Sequence, residues 1–361
     1  MKEQINGIQQ LGVGVENFQE AWKWYREHFS MDIRMFEEEA TAELMLAHTD
    51  GQPRKRHAVL ALNMQGGGGF EIWQHKGKKP APCEFEIQLG DLGINIGKIK
   101  TKDVKAAYDK FSSSGLNILT SVTKDPTGND HFYLKDIYGN LWEITDQKSV
   151  FRKKEKSVSG GVLGVVIGVK NMEESLPIYQ DMLQYDQIVY DKTGTFKDLK
   201  GTPGGDKKFR RILLKHSDEK QGAFSPFFGD SVIELIQAID YKPRDIFEGR
   251  IWGDPGFIHL CFDINGMDAF REKAKTMGYP FTVDSAKAME TFDMGEAAGS
   301  FAYIQAPEGT LIEFVETHRI PILKKIGWYI DLRKRGHHPL PNYVLKMFRF
   351  MRVKDKKEKK H

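Results

Sequence analysis

The strongest constraint on this chain is internal repetition, because a string of short motifs in its first half returns in the same order in its second. Leu11-Gly-Val-Gly-Val15-Glu-Asn17-Phe18 runs into Ala21-Trp-Lys-Trp-Tyr25-Arg-Glu-His-Phe29, and Val165-Val-Ile-Gly-Val169-Lys-Asn171-Met172 runs into Leu176-Pro-Ile-Tyr179. Further along, Phe70-Glu71-Ile-Trp-Gln74 matches Ile233-Glu234-Leu-Ile-Gln237, and Tyr138-Gly139-Asn-Leu-Trp-Glu143 matches Glu308-Gly309-Thr-Leu-Ile-Glu313. The spacing between partners stays near-constant, from 154 residues (Leu11 to Val165) to 170 (Tyr138 to Glu308), as a duplicated domain with small loop insertions requires.

Within each half the pattern reads as two strand–helix–strand–strand–strand units. Val/Gly-rich strands lead into segments with apolar residues at helical spacing, such as Trp22, Tyr25 and Phe29. The expected class is α+β, with four units in two tandem domains over residues 1–148 and 161–318 and a tail over 319–361. The charged, Ser/Gly-ended stretch Gln147–Gly161 separates the halves.

Composition narrows the classes further. Apolar content of 40% and charged content of 29% suit a globular chain rather than a disordered one. Two cysteines, Cys83 and Cys261, stand in different halves, so neither a disulfide framework nor a zinc ribbon is expected and a reducing, cytoplasmic setting is. No apolar stretch follows Met1-Lys2-Glu3-Gln4, so a secretory signal is not expected. The net charge of +3 conceals a division, because residues 319–361 carry 14 Lys+Arg against 3 Asp+Glu, leaving the body at 3 − 11 = −8. Nothing in that balance points to nucleic acid. Gly66–Gly69 lies between strands rather than before a helix, so it reads as a hairpin loop and not a phosphate cradle. His28, His48, His57, His75 and His131 show no ligand spacing.

Strand alternation separates the faces. In Phe257–Asp263 it sets Phe257, His259, Cys261 and Asp263 opposite Ile258, Leu260 and Phe262. It likewise separates Glu313 from Ile312 and Phe314, and Glu234 from Ile233 and Leu235. An imidazole and two carboxylates are thus expected on the concave side of curved sheets. There a lone charge among apolar neighbours is costly unless it is paired or metal-bound.

The Val-rich strand ending in Asn, the aromatic-Tyr helix and the closing Gly-x-x-x-Glu strand together resemble the vicinal oxygen chelate superfamily of glyoxalases, bleomycin-resistance proteins and extradiol dioxygenases. The resemblance spans residues ~5 to 318. It implies curved mixed sheets carrying helices on their outer faces. It also implies one divalent-metal site per pair of units, drawn from the first and last strand of each. Pairing units within a half puts Gly164, Glu234, His259 and Glu313 at those places in the second half. In the first half they hold Gln10, Glu71, Ile96 (or Asn95 with a one-residue slip) and Glu143. With the only histidine of the two sets, the second half is the expected working site: His259, Glu313 and Glu234 as ligands of Zn, Ni, Mn, Co or Fe, and Glu234 and Glu313 as the catalytic carboxylates.

The activity so implied is a metal-dependent, glyoxalase-like lyase or isomerase acting through an enediolate on a small substrate with vicinal oxygens. One alternative is an Fe(II) ring-cleaving dioxygenase, which needs a second histidine; His216 and His318 are the candidates. The other is a non-catalytic, ligand-sequestering protein of the bleomycin-resistance kind. Tyr303 could donate to a bound substrate, and Phe224–Phe228 is a candidate lid. The tail mixes aromatic, aliphatic and cationic residues, as in Tyr343-Val-Leu-Lys-Met-Phe-Arg-Phe-Met351. It is expected either to touch an anionic membrane as an amphipathic helix, which would make the substrate lipophilic, or to pack on the body or on a second subunit.

Overall fold

The computed structural model describes residues 3–217, 221–288, 292–293, 298–323 and 328–354. Four units follow one another. The first is β1 (Gln4–Gly14), α1 (Phe18–Phe29), β2 (Ile33–Ala42), β3 (Arg54–Leu62) and β4 (Gly69–His75). The second is β5 (Gly93–Thr101), α2 (Val104–Ser113), two short strands β6 (Asn117–Ile118) and β7 (Thr123–Lys124), β8 (Asp130–Lys135) and β9 (Leu141–Asp146). The third is β10 (Val162–Val169), α3 (Met172–Pro177), β11 (Gln187–Gly194), β12 (Phe209–Lys215), the single turn α4 (Ser225–Phe228) and β13 (Val232–Ala238). The fourth is β14 (Gly256–Asn265), α5 (Met267–Thr276), the short β15 (Val283–Asp284) and β16 (Phe292–Asp293), β17 (Ala298–Gln305) and β18 (Leu311–Leu323). The tail adds β19 (Trp328–Asp331) and α6 (Asn342–Leu345).

Helix starts follow the sequence closely. Asn17, Asp103 and Asn171 each accept a hydrogen bond from a first-turn amide, satisfying a donor that the helix itself cannot. Pro177 ends α3 early, and the chain continues as a wider turn over Ile178–Met182.

The units build two sheets, but not along the halves. One sheet runs β15-β17-β18-β14-β1-β4-β3-β2 and the other β11-β12-β13-β10-β5-β9-β8-β6. The first unit therefore pairs with the fourth, β1 lying antiparallel to β14, and the second with the third, β5 lying antiparallel to β10. This corrects the expectation that each half closes its own sheet. The two units of each half meet through their helices instead. Tyr25 of α1 donates to Asp136 in the second unit at 2.6 Å, and Ser175 and Tyr179 donate to Glu308 in the fourth. One apolar cluster takes in α1, α2, α3, α5 and the helix-covered faces of both sheets. The opposite, concave faces are left for sites.

The tail is not one helix. β18 and β19 form a hairpin, with Ile320 opposite Ile330. Beyond it Val344, Leu345, Phe348 and Met351 pack against Phe224, Phe227, Phe228 and Ile33. The Lys-rich end expected over 355–361 lies outside the described residues.

Candidate metal centre

The joint between β1 and β14 brings the first and last units' donors together. Cys261 lies opposite Gln10 and His259 opposite Gly12, while β4 runs parallel to β1 with Glu71 beside Gly12. β18 sets Glu313 beside Cys261. The result is a buried trio, Glu71, His259 and Glu313, whose ligand atoms lie within 4.8 Å of one another. His259 Nε2 is 3.2 Å from Glu71 Oε2 and 3.2 Å from Glu313 Oε2. Gln10 Nε2 donates to the same two oxygens, at 3.4 and 3.2 Å.

Local sequence explains the placement. A Cβ on Gly12 would come within 2.4 Å of the His259 ring, so glycine there is what lets the imidazole lie across β1. The register skips Ile258, a bulge that turns Phe257 to the helix side and Ile258 to the concave side, the reverse of simple alternation. His259 and Glu313 still reach the expected face.

The two carboxylates favour positive charge between them. Burial alone would depress the His259 imidazole, but Glu313 and Glu71 outweigh it and raise it to about 9. Although buried, His259 Nε2 makes no well-directed hydrogen bond, and the Gln10 amide oxygen has no partner at all. Once the imidazole gives up its proton, it joins the two carboxylates and the Gln10 amide oxygen as an N/O donor set suited to a divalent ion, with the Gln10 amide turned end for end. One contact must open: Trp252 Nε1 donates to His259 Nδ1 at 3.3 Å, whereas ligation through Nε2 leaves the proton on Nδ1. Burial and the Glu313 and Glu71 charges push the Tyr303 phenol far up, so it stays a hydrogen-bond donor. The Cys261 thiol, raised by burial and Glu313, stays protonated.

Glu234 is not in this cluster. It stands on β13 in the other sheet, fully buried, taking Arg211 Nε at 2.6 Å, Tyr190 OH at 2.8 Å and Lys98 Nζ at 2.8 Å. Lys98 also pairs with Glu143, which accepts from His131 Nδ1 at 2.8 Å. An ammonium thus sits between the two carboxylates of the second sheet. Burial opposes charge on Glu143 and Glu234, and these cations overcome it, holding both carboxyls below the usual range. Gly164 does not face His259 either. It lies on β10, where a Cβ would strike the Val232 carbonyl at 1.9 Å, so its glycine serves strand packing. Ile96, Tyr133 and Leu141 pack into the apolar cluster of that sheet. His216 packs on Tyr185 and His318 pairs with Glu316, so neither joins the trio.

Above the trio opens a cavity of about 1120 Å³. Gln10, Glu71, Glu313, Tyr303 and Trp252 form its polar end, and Phe224, Phe227, Phe228 and the tail residues Val344, Phe348 and Met351 its apolar end. The Phe224–Phe228 segment, which precedes the Glu234 strand, covers the other sheet's site. Gln10 and Glu71, which the sequence places in a separate first-half set, are the residues the structure adds beside His259 and Glu313. Both were visible as polar interruptions in apolar strands, but assigned to the wrong partner.

A comparison with curated proteins finds no sequence match. Among solved structures, a point mutant of glyoxalase I from Zea mays superposes with a TM-score of 0.55 at 13% identity, covering 87% of this chain and 92% of that one. A candidate dioxygenase from Bacillus subtilis strain 168 superposes with a TM-score of 0.56 at 11% identity, covering 99% of each chain. At such identities the likeness is one of fold. The sequence model of one family matches residues 7–144 and again 161–314. With both halves matched and four βαβββ units in two curved sheets, the chain belongs to the Glyoxalase/Bleomycin resistance protein/Dioxygenase superfamily.

Proposed function

We propose that the protein is a metal-dependent lyase or isomerase of the glyoxalase kind, working at Gln10, Glu71, His259 and Glu313. The observation that carries this reading is the convergence of one imidazole, two carboxylates and one amide at the floor of a cavity, with the buried Gln10 amide oxygen left unpartnered. A divalent ion (Zn, Ni, Mn, Co or Fe) held there supplies Lewis acidity toward a substrate bearing two neighbouring oxygens.

The chain's own residues do the rest. Glu313 is held by His259, Tyr303 and Cys261 and is the fixed carboxylate. Glu71, held among the described residues by Gln10 and His259, swings to take a proton from a carbon beside a carbonyl. It replaces Glu234 in that role. Tyr303 keeps its proton and donates toward charge developing on a substrate oxygen. The phenylalanines of α4 and the tail shield the site from water. A lone histidine in the trio favours this chemistry over an oxygenase, whose usual set is two histidines and a carboxylate.

The reading carries a cytoplasmic protein with unpaired Cys83 and Cys261. It also carries peripheral contact with an anionic membrane, supported by the exposed Tyr343 and Phe350 (71% and 72%) beside Lys346 and Arg349.

The test compares metal content and affinity of the wild type with His259→Ala, Glu71→Gln and Glu234→Gln, and measures proton exchange at a carbon next to a carbonyl under nitrogen. His259→Ala and Glu71→Gln are expected to weaken metal binding at least tenfold, and Glu234→Gln to leave it unchanged. Equal binding by wild type and His259→Ala sinks the assignment. Metal-free protein that gains none on addition points to ligand sequestration. Oxygen uptake with catechol-like substrates points to the oxygenase.

A further inference from the structure

We infer that the substrate is an uncharged amphiphile, its two neighbouring oxygens at Glu71, His259 and Glu313 and a bulky apolar body, aryl or long alkyl, lying between α4 and the tail. This rests on the functional reading above and names its substrate class.

Size is the first argument. Sites for drug-sized ligands measure roughly 300–1,000 Å³, and this cavity holds about 1120 Å³. A three- or four-carbon dicarbonyl would leave most of it as water against phenylalanine. Lining chemistry is the second. Beside the polar floor and a charged side formed by residues of β2 and β3, Met35, Leu60, Phe224, Phe227, Phe348 and Met351 make one continuous apolar wall. Such a wall stabilises buried alkyl or aryl surface and offers no hydrogen bonds to a polar chain.

Charge is the third argument. Two guanidiniums, Arg34 and Arg56, face five carboxylates, Glu37, Glu38, Glu43, Glu71 and Glu313, giving 2 − 5 = −3, and a divalent ion brings the lining to −1. Both guanidiniums are already engaged, Arg34 with Glu37 at 2.9 Å and Arg56 with Glu38 at 2.5 Å. A substrate carrying phosphate or several carboxylates would meet repulsion and no free cation. Continuity is the fourth. Met347 and Phe350 line this same cavity and yet are exposed, by 38% and 72%, so the apolar wall extends from the floor to the surface.

The experiment titrates the Mn²⁺-loaded full chain with straight-chain alkanohydroxamic acids, whose paired oxygens stand in for the substrate head, and reads affinity by calorimetry. Affinity is expected to rise up to about fourfold per added methylene while the chain lies along the apolar wall. A terminal carboxylate on a long probe is expected to weaken it at least tenfold. Phe348→Gln and, independently, Phe227→Gln flatten the chain-length dependence; two variants guard against one that folds poorly. If acetohydroxamate binds while longer chains bind no tighter, or the carboxylate-ended probe binds as well, the substrate class is wrong and the metal site stands. If acetohydroxamate does not bind the metal-loaded chain, or no metal loads, the functional reading falls and this inference with it.

Discussion

Replacing Lys98 by methionine tests whether the second sheet carries its own built-in cation. Lys98 Nζ lies between Glu143 and Glu234, 2.8 Å from the latter, in a fully buried setting. Burial disfavours its charge, but the two carboxylates prevail and raise it above the usual lysine range. At 2.8 Å and an effective dielectric of about 20, one such attraction is worth about 6 kcal/mol before desolvation. Desolvation returns much of that, and removing one partner of a buried pair costs about 3–5 kcal/mol net. Arg211 and His131 remain beside the carboxylates, so the low end, about 3 kcal/mol, is expected at neutral pH.

The pH dependence has a definite sign. Wild-type Glu143 and Glu234 sit below their unfolded values, so their contribution is present above about pH 4.5 and is lost as pH falls below it. Without Lys98 the facing carboxylates bind a proton more readily in the folded chain, so Lys98→Met recovers stability relative to wild type as pH falls from 7.5 to about 5. Urea unfolding at both pH values reads the difference. A variant within about 0.5 kcal/mol of wild type at pH 7.5, with a parallel pH profile, would refute the role given to Lys98.

Three further outcomes are expected. Metal binding through His259 Nε2 opens the contact from Trp252, so a metal titration followed by tryptophan emission should lose part of its signal in Trp252→Phe; identical traces would mean that the indole is a bystander. Burial, reinforced by Glu316, raises the Asp263 carboxyl to about 7, so its contribution is full below about pH 3.8 and lost as pH rises through 7. Asp263→Asn should therefore unfold at higher urea than wild type at pH 8, by roughly 2–4 kcal/mol of stability, and a less stable variant would contradict this. Tyr343→Ser with Phe350→Ser should reduce co-sedimentation with phosphatidylserine vesicles several-fold, and unchanged binding would remove the membrane contact from the reading.

The repeated motifs made the four units legible, because three carry a capped helix start and three a closing Gly-x-x-x-Glu strand, in the same order along the chain. His259 and Glu313 were legible too, since alternation along one strand decides which face a residue takes. The partner of a strand edge is not written in that way. β1 and β14 pair across about 250 residues, and no local pattern distinguishes that pairing from β10 with β14. Glu234 was consequently grouped with His259 rather than with the sheet that holds it. A local clue did exist: Lys98 interrupts the apolar run of β5 two residues beyond Ile96, as Cys261 lies two beyond His259. A buried lysine in that place marks a sheet that supplies its own positive charge. The bulge at Ile258 was invisible because nothing in its sequence announces it.

The pairing of first unit with last has a consequence for biosynthesis. When the first 150 residues leave the ribosome, β1 and β5 each carry an open edge, and in the finished fold neither seals the other. β10 closes one edge early, but the first sheet waits for β14, and the donor set waits for Glu313, close to the end of the body. The nascent chain therefore spends most of its synthesis with β1 available to any matching strand. A neighbouring chain's fourth unit would seal it as well as its own, giving an exchanged dimer whose two sites have the same donors as the monomer's.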